Sequence, residues 1–580
     1  MCSHRLWVRG AIGCIVALAM SACSVSARNG GNGGNGGSGG NGGAGNGGSG
    51  GGVDQGAGGG NLDGGAPHDL ALPSSWSFDG GWHPPPAPSM PPMNGNGGTT
   101  VLTGPGADSS SPGKFGGTPT GGAPTIVYPA DGIAVPPNMN ALEIHFIPAA
   151  GQTLFRLTFK APTLTVVVYT GCTAVGGGCV YATDAAFWSA LIPYARGAAP
   201  VTWSVSGVNG SAPGAVGTSA QQSITFGQQD ITGGIYYWNT AGAIERYDWG
   251  MPSAAPQAYM TAQKAGALVC VGCHVVSRQG TRITVGKDIP APAPYTVFDV
   301  ATTTPYSPNG TPVGGTANFA SFSPDGNHLL FSDGAKIGWQ ELYTGSILNA
   351  SVAASGTMPD WSPDGEHMVF ARPNASLPIA NPGVASGSIE SLHFNGAGWD
   401  TPTTLVPFSG ANNYYPAYAP TGDWVIYNRS PSNADSFSNA APDADAGTKP
   451  DGQLYVVPSA GGNAVALDAA NTPGNCQWPK WAPVLHDYYA GKIMWLTFSS
   501  DRAYGLRLAT GAQTQLWMIG FDPAKAAAGK DPSFTAFWLP FQDMTSGNHI
   551  AQWTTTVVRQ SCSSTKPCPS GQSCRDGLCY

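Results

Sequence analysis

The sequence predicts an all-β protein: a β-propeller of about six blades preceded by an immunoglobulin- or fibronectin-like β-sandwich. Three observations predict it. Among 580 residues there are 84 Gly, 50 Pro and 17 Trp but only 10% charged residues, a composition of short strands and tight turns rather than charged helices. A strand-like series between residues 123 and 228 alternates with Gly, Pro and Asn turns. Beyond residue 230 a hairpin motif returns at blade-like intervals. The charge balance, 25 Lys and Arg against 33 Asp and Glu for a net of −8, excludes nucleic-acid binding through a basic footprint. It hints instead at a basic docking partner.

The chain opens on an export signal, residues 1–22. Arg5 and Arg9 precede an apolar run from Ala11 to Met20, too short for a spanning helix, which needs ~20 apolar residues. Ser21-Ala22-Cys23 resembles a bacterial lipoprotein box. That resemblance implies lipidation of Cys23 and membrane attachment through an N-terminal lipid in the cell envelope, at the outer membrane or facing the periplasm. Residues 23–122 are rich in Gly, Asn and Pro and are expected to form a disordered tether. Two G-x-S-x-G matches inside it lack the flanking strand and helix that a nucleophile elbow needs.

From Ala123 the texture changes. The runs Thr125–Tyr128, Ala141–Phe146, Thr163–Tyr169 and Val201–Val205 read as strands of one sandwich domain over 123–228. Cys172 and Cys179 flank a Gly-rich turn between two such runs and are expected to close a hairpin as a disulfide in an oxidising compartment.

The repeat occupies 229–558. Phe322-Ser-Pro-Asp-Gly326 leads into Leu329–Phe331, and Trp361-Ser-Pro-Asp-Gly365 into Met368–Phe370. Tyr418-Ala-Pro-Thr-Gly422 leads into Trp424–Tyr427, and Trp481-Ala-Pro483 into Ile493–Leu496. Val276-Ser-Arg-Gln-Gly280, before Ile283–Val285, is a weaker copy. An aromatic strand end, a turn with Pro at its second position and Gly accepting positive φ, and a second strand make a hairpin. Hairpins at 40–60-residue intervals read as propeller blades. The longer intervals hold loops, notably the acidic Asn433–Gly452.

These motifs resemble the PD40 (WD40-like) repeats of the TolB-type β-propeller, and Leu454–Val457 followed by Gly461-Gly462 is similar to that family's next hairpin. The resemblance covers just over half of the chain. It implies a propeller, usually six-bladed; propellers host binding, scaffolding and catalysis alike, so it does not fix an activity.

One constellation carries chemistry. Cys270-Val271-Gly272-Cys273-His274 is C-x-x-C-H, the attachment pattern of a c-type haem. Two thiols would add to the haem vinyl groups and His274 would become the proximal iron ligand. Met358, three residues before Trp361, and His549, near the closure of the array, are candidate sixth ligands. Core packing is the alternative for Met358 and a turn-capping or buried hydrogen-bonding role for His549. His328, His367 and His486 fall in positions expected to be exposed turns. A Cys270–Cys273 disulfide and a partial metal site stay open beside haem, and the motif runs into the first repeat with no room for a helical cytochrome domain.

The tail 559–580 holds Cys562, Cys568, Cys574 and Cys579, read as two disulfides with three possible connectivities; Cys476 has no obvious partner. No Asp/Glu, Ser/His or metal cluster stands at a recognisable catalytic spacing, so the chain is not expected to be an enzyme. Two functions remain in competition. One is a haem c lipoprotein for electron transfer or redox sensing that meets a redox partner. The other is a haem-free scaffold binding envelope proteins or glycans.

Overall fold

The computed structural model describes residues 93, 97–250, 255–268, 270–287, 293–333, 336–374, 383–396, 398–433, 451–568, 574–575 and 577–579. The signal peptide, Cys23, the tether as far as residue 92 and most of the acidic loop lie outside the described residues. Among them no helix is long and apolar enough to cross a membrane.

The chain is all-β, as predicted. Six four-stranded antiparallel sheets follow one another after a two-sheet sandwich. Blades one to five are consecutive in sequence. Their inner strands are Val271–Val276, Phe319–Phe322, Thr357–Trp361, Asn412–Tyr418 and Gln477–Tyr488. The sixth blade is composite: Gly234–Asn239, Ala243–Asp248 and Gln257–Met260 take as their inner strand Asn548–Thr554, from the far end of the array. Each inner strand touches the next, and the sixth touches the first, so the ring is closed.

The repeated turn works as its residues dictate. Gly280, Gly326, Gly365 and Gly422 all have φ between +70° and +79°, where a Cβ would be strained. Ser323 Oγ accepts the His328 N–H at 2.9 Å and Ser362 Oγ the His367 N–H at 2.9 Å, locking each hairpin. Ser277 does the same in the weaker copy, accepting from Thr281 and Arg282 at 3.1 and 3.0 Å.

A second feature repeats without any sequence signature. Three residues before the anchors Val276, Trp361, Tyr418, Trp481 and Trp553 stand Cys273, Met358, Tyr415, Trp478 and Ile550, all at φ between +44° and +57°. In the first, third, fourth and fifth blades the ladder to the neighbouring strand shifts register at this residue, as a bulge does. The released N–H groups are caught by the preceding blade: Tyr415 donates to Met358 Sδ at 3.4 Å, Trp478 to Asn428 Oδ1 at 3.1 Å, Ile550 to Ser499 Oγ at 3.3 Å. A left-handed non-Gly residue costs of order 1–2 kcal/mol, and these bonds between blades offset it.

The sandwich consists of two sheets. One sheet runs Gly98–Thr103, Leu164–Gly171, Leu154–Lys160, Val201–Val208, Gln222–Phe226, Ile133–Val135, and the facing sheet Thr125–Tyr128, Glu143–Ile147, Gly178–Ala182, Thr173–Val175. The chain therefore crosses from one sheet to the other between Tyr128 and Ile133, and Ile133–Val135 pairs in parallel with the last strand. Cys172–Cys179 is a disulfide, and in the tail Cys562 pairs with Cys574 and Cys568 with Cys579.

One expectation needs correction. The stretch up to residue 122 is not all tether: Gly98–Thr103 adds a strand parallel to Leu164–Gly171. Its Thr-Thr-Val-Leu-Thr run is β-prone but lay hidden among Gly and Pro.

The sandwich is fused to the fifth blade through one continuous core and a polar clamp. Arg507 reaches Glu143 through two bonds of 2.6 and 2.7 Å, Tyr504 OH donates to the same carboxylate at 2.8 Å, and Leu506 N–H donates to His145 Nδ1 at 3.1 Å. Gly505 is obligatory there, because a Cβ would stand 2.0 Å from His145 Nδ1. Burial alone would raise the Glu143 carboxyl, but hydrogen bonds from His145, Arg507 and Tyr504 outweigh it and hold the group down at about 2.

Glu143→Gln should lower stability by about 1–3 kcal/mol, read as a lower denaturant midpoint at unchanged slope. The carboxyl titrates lower folded than unfolded, so its contribution is present above pH ~4.5 and fades as pH falls toward 2. Acid titration of wild type against Glu143→Gln should show that component only in the wild type.

Candidate functional site

The inner strands bring six sets of side chains to one axis. At one level Phe319, Tyr415 and Trp478 meet across the ring: Tyr415 stacks on Trp478 with centroids 3.9 Å apart, and Phe319 lies 6.0 and 6.1 Å from them. Blades two, four and five touch at this point, so the aromatic group plugs the channel.

At the turn end of the same strands the channel widens into an open funnel, to which all six blades contribute. Its walls include the anchors Phe322, Trp361, Tyr418, Trp481 and Trp553, and its charged groups are Arg278, Asp360 and Lys480. Asp360 and Lys480 occupy the position just before the anchors of blades three and five. Lys480 Nζ lies 3.3 Å from Asp360 Oδ1, while Asp360 Oδ2 accepts the Tyr418 N–H of blade four at 2.8 Å. One carboxylate thus ties three blades. Arg278 stands in the turn of blade one; burial lowers its affinity for the proton, and attraction to Asp360 and Asp364 opposes this. The anchors are held too: Trp361 Nε1–H donates to Gly365 O at 2.9 Å, Trp481 to Ala417 O at 3.2 Å, Trp553 to Thr497 Oγ1 at 2.9 Å. The funnel is an aromatic-walled mouth whose lining carries two cations and one carboxylate.

The haem motif lies in the ring itself. Val271–Val276 is the inner strand of blade one. His274 is 1% exposed, and its Nε2–H donates to the Tyr236 carbonyl of blade six at 3.3 Å. Burial, opposed by that bond, depresses the imidazole to about 4. Its Nδ1 has no hydrogen-bond partner among the described residues. Cys270 is buried and disulfide-bonded, whereas Cys273 is an exposed free thiol, so a Cys270–Cys273 disulfide is not formed. Haem c needs two free thiols on one face of the ring and a proximal nitrogen open to iron. The nitrogen that would ligate iron is committed to a carbonyl between two blades, and one of the two thiols is already spent in a disulfide. These residues do not fit the group.

The other candidates are dispersed. Met358 is the left-handed residue of blade three, packed beside Tyr415 and accepting its N–H; no contact joins it to His274. His549 is buried on the closing strand against Trp238, with ring centroids 5.6 Å apart. It sits at the closure of the ring, as its place in the sequence suggested, packed against that indole. His486, expected in an exposed turn, is instead buried on the long inner strand of blade five. Its Nδ1 accepts Trp495 Nε1–H at 3.2 Å. Cys476 is a buried free thiol that accepts from Arg502 Nη2 at 3.0 Å; the same guanidinium also binds the carbonyls of Ala470, Thr472 and Gly474. Sequence reasoning missed Arg278 and Lys480. Their one signal was a charge beside a repeat anchor, legible only after the repeats are aligned.

No family model matches the chain, and no curated protein matches it. Solved propellers are similar at low identity. TolB from Acinetobacter baumannii is 11% identical with a TM-score of 0.37, covering 81% of this chain and 98% of its own. A putative TolB from Agrobacterium tumefaciens is 14% identical at 0.31, covering 53% and 88%. An oligogalacturonate lyase from Vibrio parahaemolyticus is 11% identical at 0.26, covering 51% and 81%. At these scores the likeness carries no argument, and the fold assignment stands on the strand pairing described above.

His274 and His486 are both buried and both titrate near 4 when folded, against about 6.5 unfolded. The unfolded chain therefore binds more protons between these values, and stability should fall as pH drops from 6.5 toward 4. Each residue contributes about 1.4 kcal/mol per pH unit. His274→Gln should flatten that limb by one proton's worth and leave the part due to His486, as measured by denaturant melts across pH.

Proposed function

We propose that the chain is an exported, lipid-tethered envelope protein whose propeller captures another protein, with the funnel as the docking mouth. The observation that supports this most is the funnel's construction: six blades converge on an aromatic-walled opening with two cations and one carboxylate, closed below by an aromatic plug. Such a mouth suits an extended segment presenting a carboxylate, which Arg278 and Lys480 would hold while the aromatic walls take apolar side chains. Although the whole chain carries −8, the funnel lining holds two cations against one carboxylate, so the partner's contacting segment is acidic. The export signal and the Gly/Asn-rich stretch after it support placement at a membrane surface with freedom to search. The tail disulfides suit an oxidising compartment. On this reading the Cys270–His274 segment serves the ring as a strand and holds no haem.

A photo-reactive residue placed at Gln552 or at Ser321 in the native host should yield a discrete protein adduct. The same probe at Ile347, on the outer edge of blade two, should not. Lys480→Ala, removing one charge-assisted contact, should weaken the captured complex by about tenfold or more. Adducts independent of probe position, or unaffected by Lys480→Ala and Arg278→Ala together, would refute docking at the funnel.

A further inference from the structure

Blade three carries a cluster of groups that do not line the funnel. Its second strand, His367–Arg372, pairs with Ser388–His393 in a register that sets His367 directly opposite His393. The two imidazoles face each other with centroids 4.9 Å apart. Ahead of His367, the turn supplies Asp364 and Glu366; one ligand atom each from Asp364, Glu366 and His367 lie within 4.8 Å of one another. Asp364 spends Oδ1 on the turn, accepting from Ser362 Oγ and the Glu366 N–H, and presents Oδ2 3.8 Å from His367 Nδ1.

The second imidazole is oriented as a metal ligand is. Asp400 Oδ2 lies 2.9 Å from His393 Nδ1, and Asp400 Oδ1 accepts from Asn395 Nδ2 at 2.6 Å. A carboxylate can only accept, so Nδ1 carries the proton and the Nε2 lone pair is left available. A carboxylate behind a ligating histidine is the usual second partner of such sites. Two imidazoles and two carboxylates match the donor preference of zinc-class divalent ions, with bonds of about 2.0–2.2 Å. The side chains of His367, His393 and Asp364 are between 40% and 46% exposed, so they have room to reorient around one ion.

We propose that Asp364, Glu366, His367 and His393 bind one divalent transition ion of the zinc class, with Asp400 as a positioning residue. The ion would staple the Pro-Asp-Gly turn of blade three to the end of its third strand.

The test is calorimetric titration of the full mature chain, stripped by a chelator, with Zn²⁺ alone near pH 7. One equivalent should bind. His367→Ala and His393→Ala should each lower its affinity at least tenfold. Asp400→Asn should lower it on the order of tenfold, with recovery in Asp400→Glu, which a merely structural role would not produce. Zn²⁺ should also raise the melting temperature of the wild type and not of the double variant His367→Ala/His393→Ala; the exposure of both rings lets that variant fold. Unchanged stoichiometry and affinity in the double variant, or no Zn²⁺ binding by the wild type, would overturn the proposal.

Discussion

Everything in this molecule depends on closing the ring. Blade six has its three outer strands at 234–260 and its inner strand at Asn548–Thr554, so no axial feature exists until nearly the whole propeller has been assembled. The aromatic plug joins blades two, four and five; the Asp360 carboxylate ties blades three, four and five. The funnel draws on all six. Such contacts are long-range in sequence, which makes folding slow but the finished mouth rigid. Rigidity is what a docking surface gains from this architecture, because little ordering entropy remains to be lost on binding.

The sandwich is part of the same body. Its core runs into blade five without interruption, and the Glu143–Arg507 pair is reinforced by Tyr504 and by the His145 side chain. A hydrogen-bonded, half-buried carboxylate of this kind sets the register of one domain on the other, here fixed further by a glycine that no other residue could replace. The domain is therefore joined to the propeller at blade five.

Much of the fold was legible because its signals are local. Phe322, Trp361, Tyr418 and Trp481, each before a Pro-containing turn, mark four blades, and Ser277 marks a fifth by repeating the serine's bond to the following strand. Trp553 was not legible as the sixth anchor: Thr554, Thr555 and Thr556 follow it, so the turn that would reveal it is missing. The left-handed residues Cys273, Met358, Tyr415, Trp478 and Ile550 share no chemistry, since their conformation comes from the ladder and, at Tyr415, Trp478 and Ile550, from acceptors on the preceding blade. That explains the fate of the most suggestive motif. Cys270-Val271-Gly272-Cys273-His274 has the spacing for haem, but its five residues also supply what blade one needs: a bulge at Cys273 and a buried neutral ring at His274. The opposed pair His367 and His393 was invisible for another reason, because only strand register brings residues so far apart face to face.

The claim on which the functional account turns is that this segment is a strand of a capture propeller and not a haem-bearing one. The most direct measurement is the mass of the tryptic peptide Ala265–Arg278 from protein exported by its own host, after reduction. The account predicts two unmodified thiols and no Soret absorbance in the intact protein. A peptide carrying covalent haem, with low-spin spectra lost in His274→Ala, would contradict it and make the chain a cytochrome.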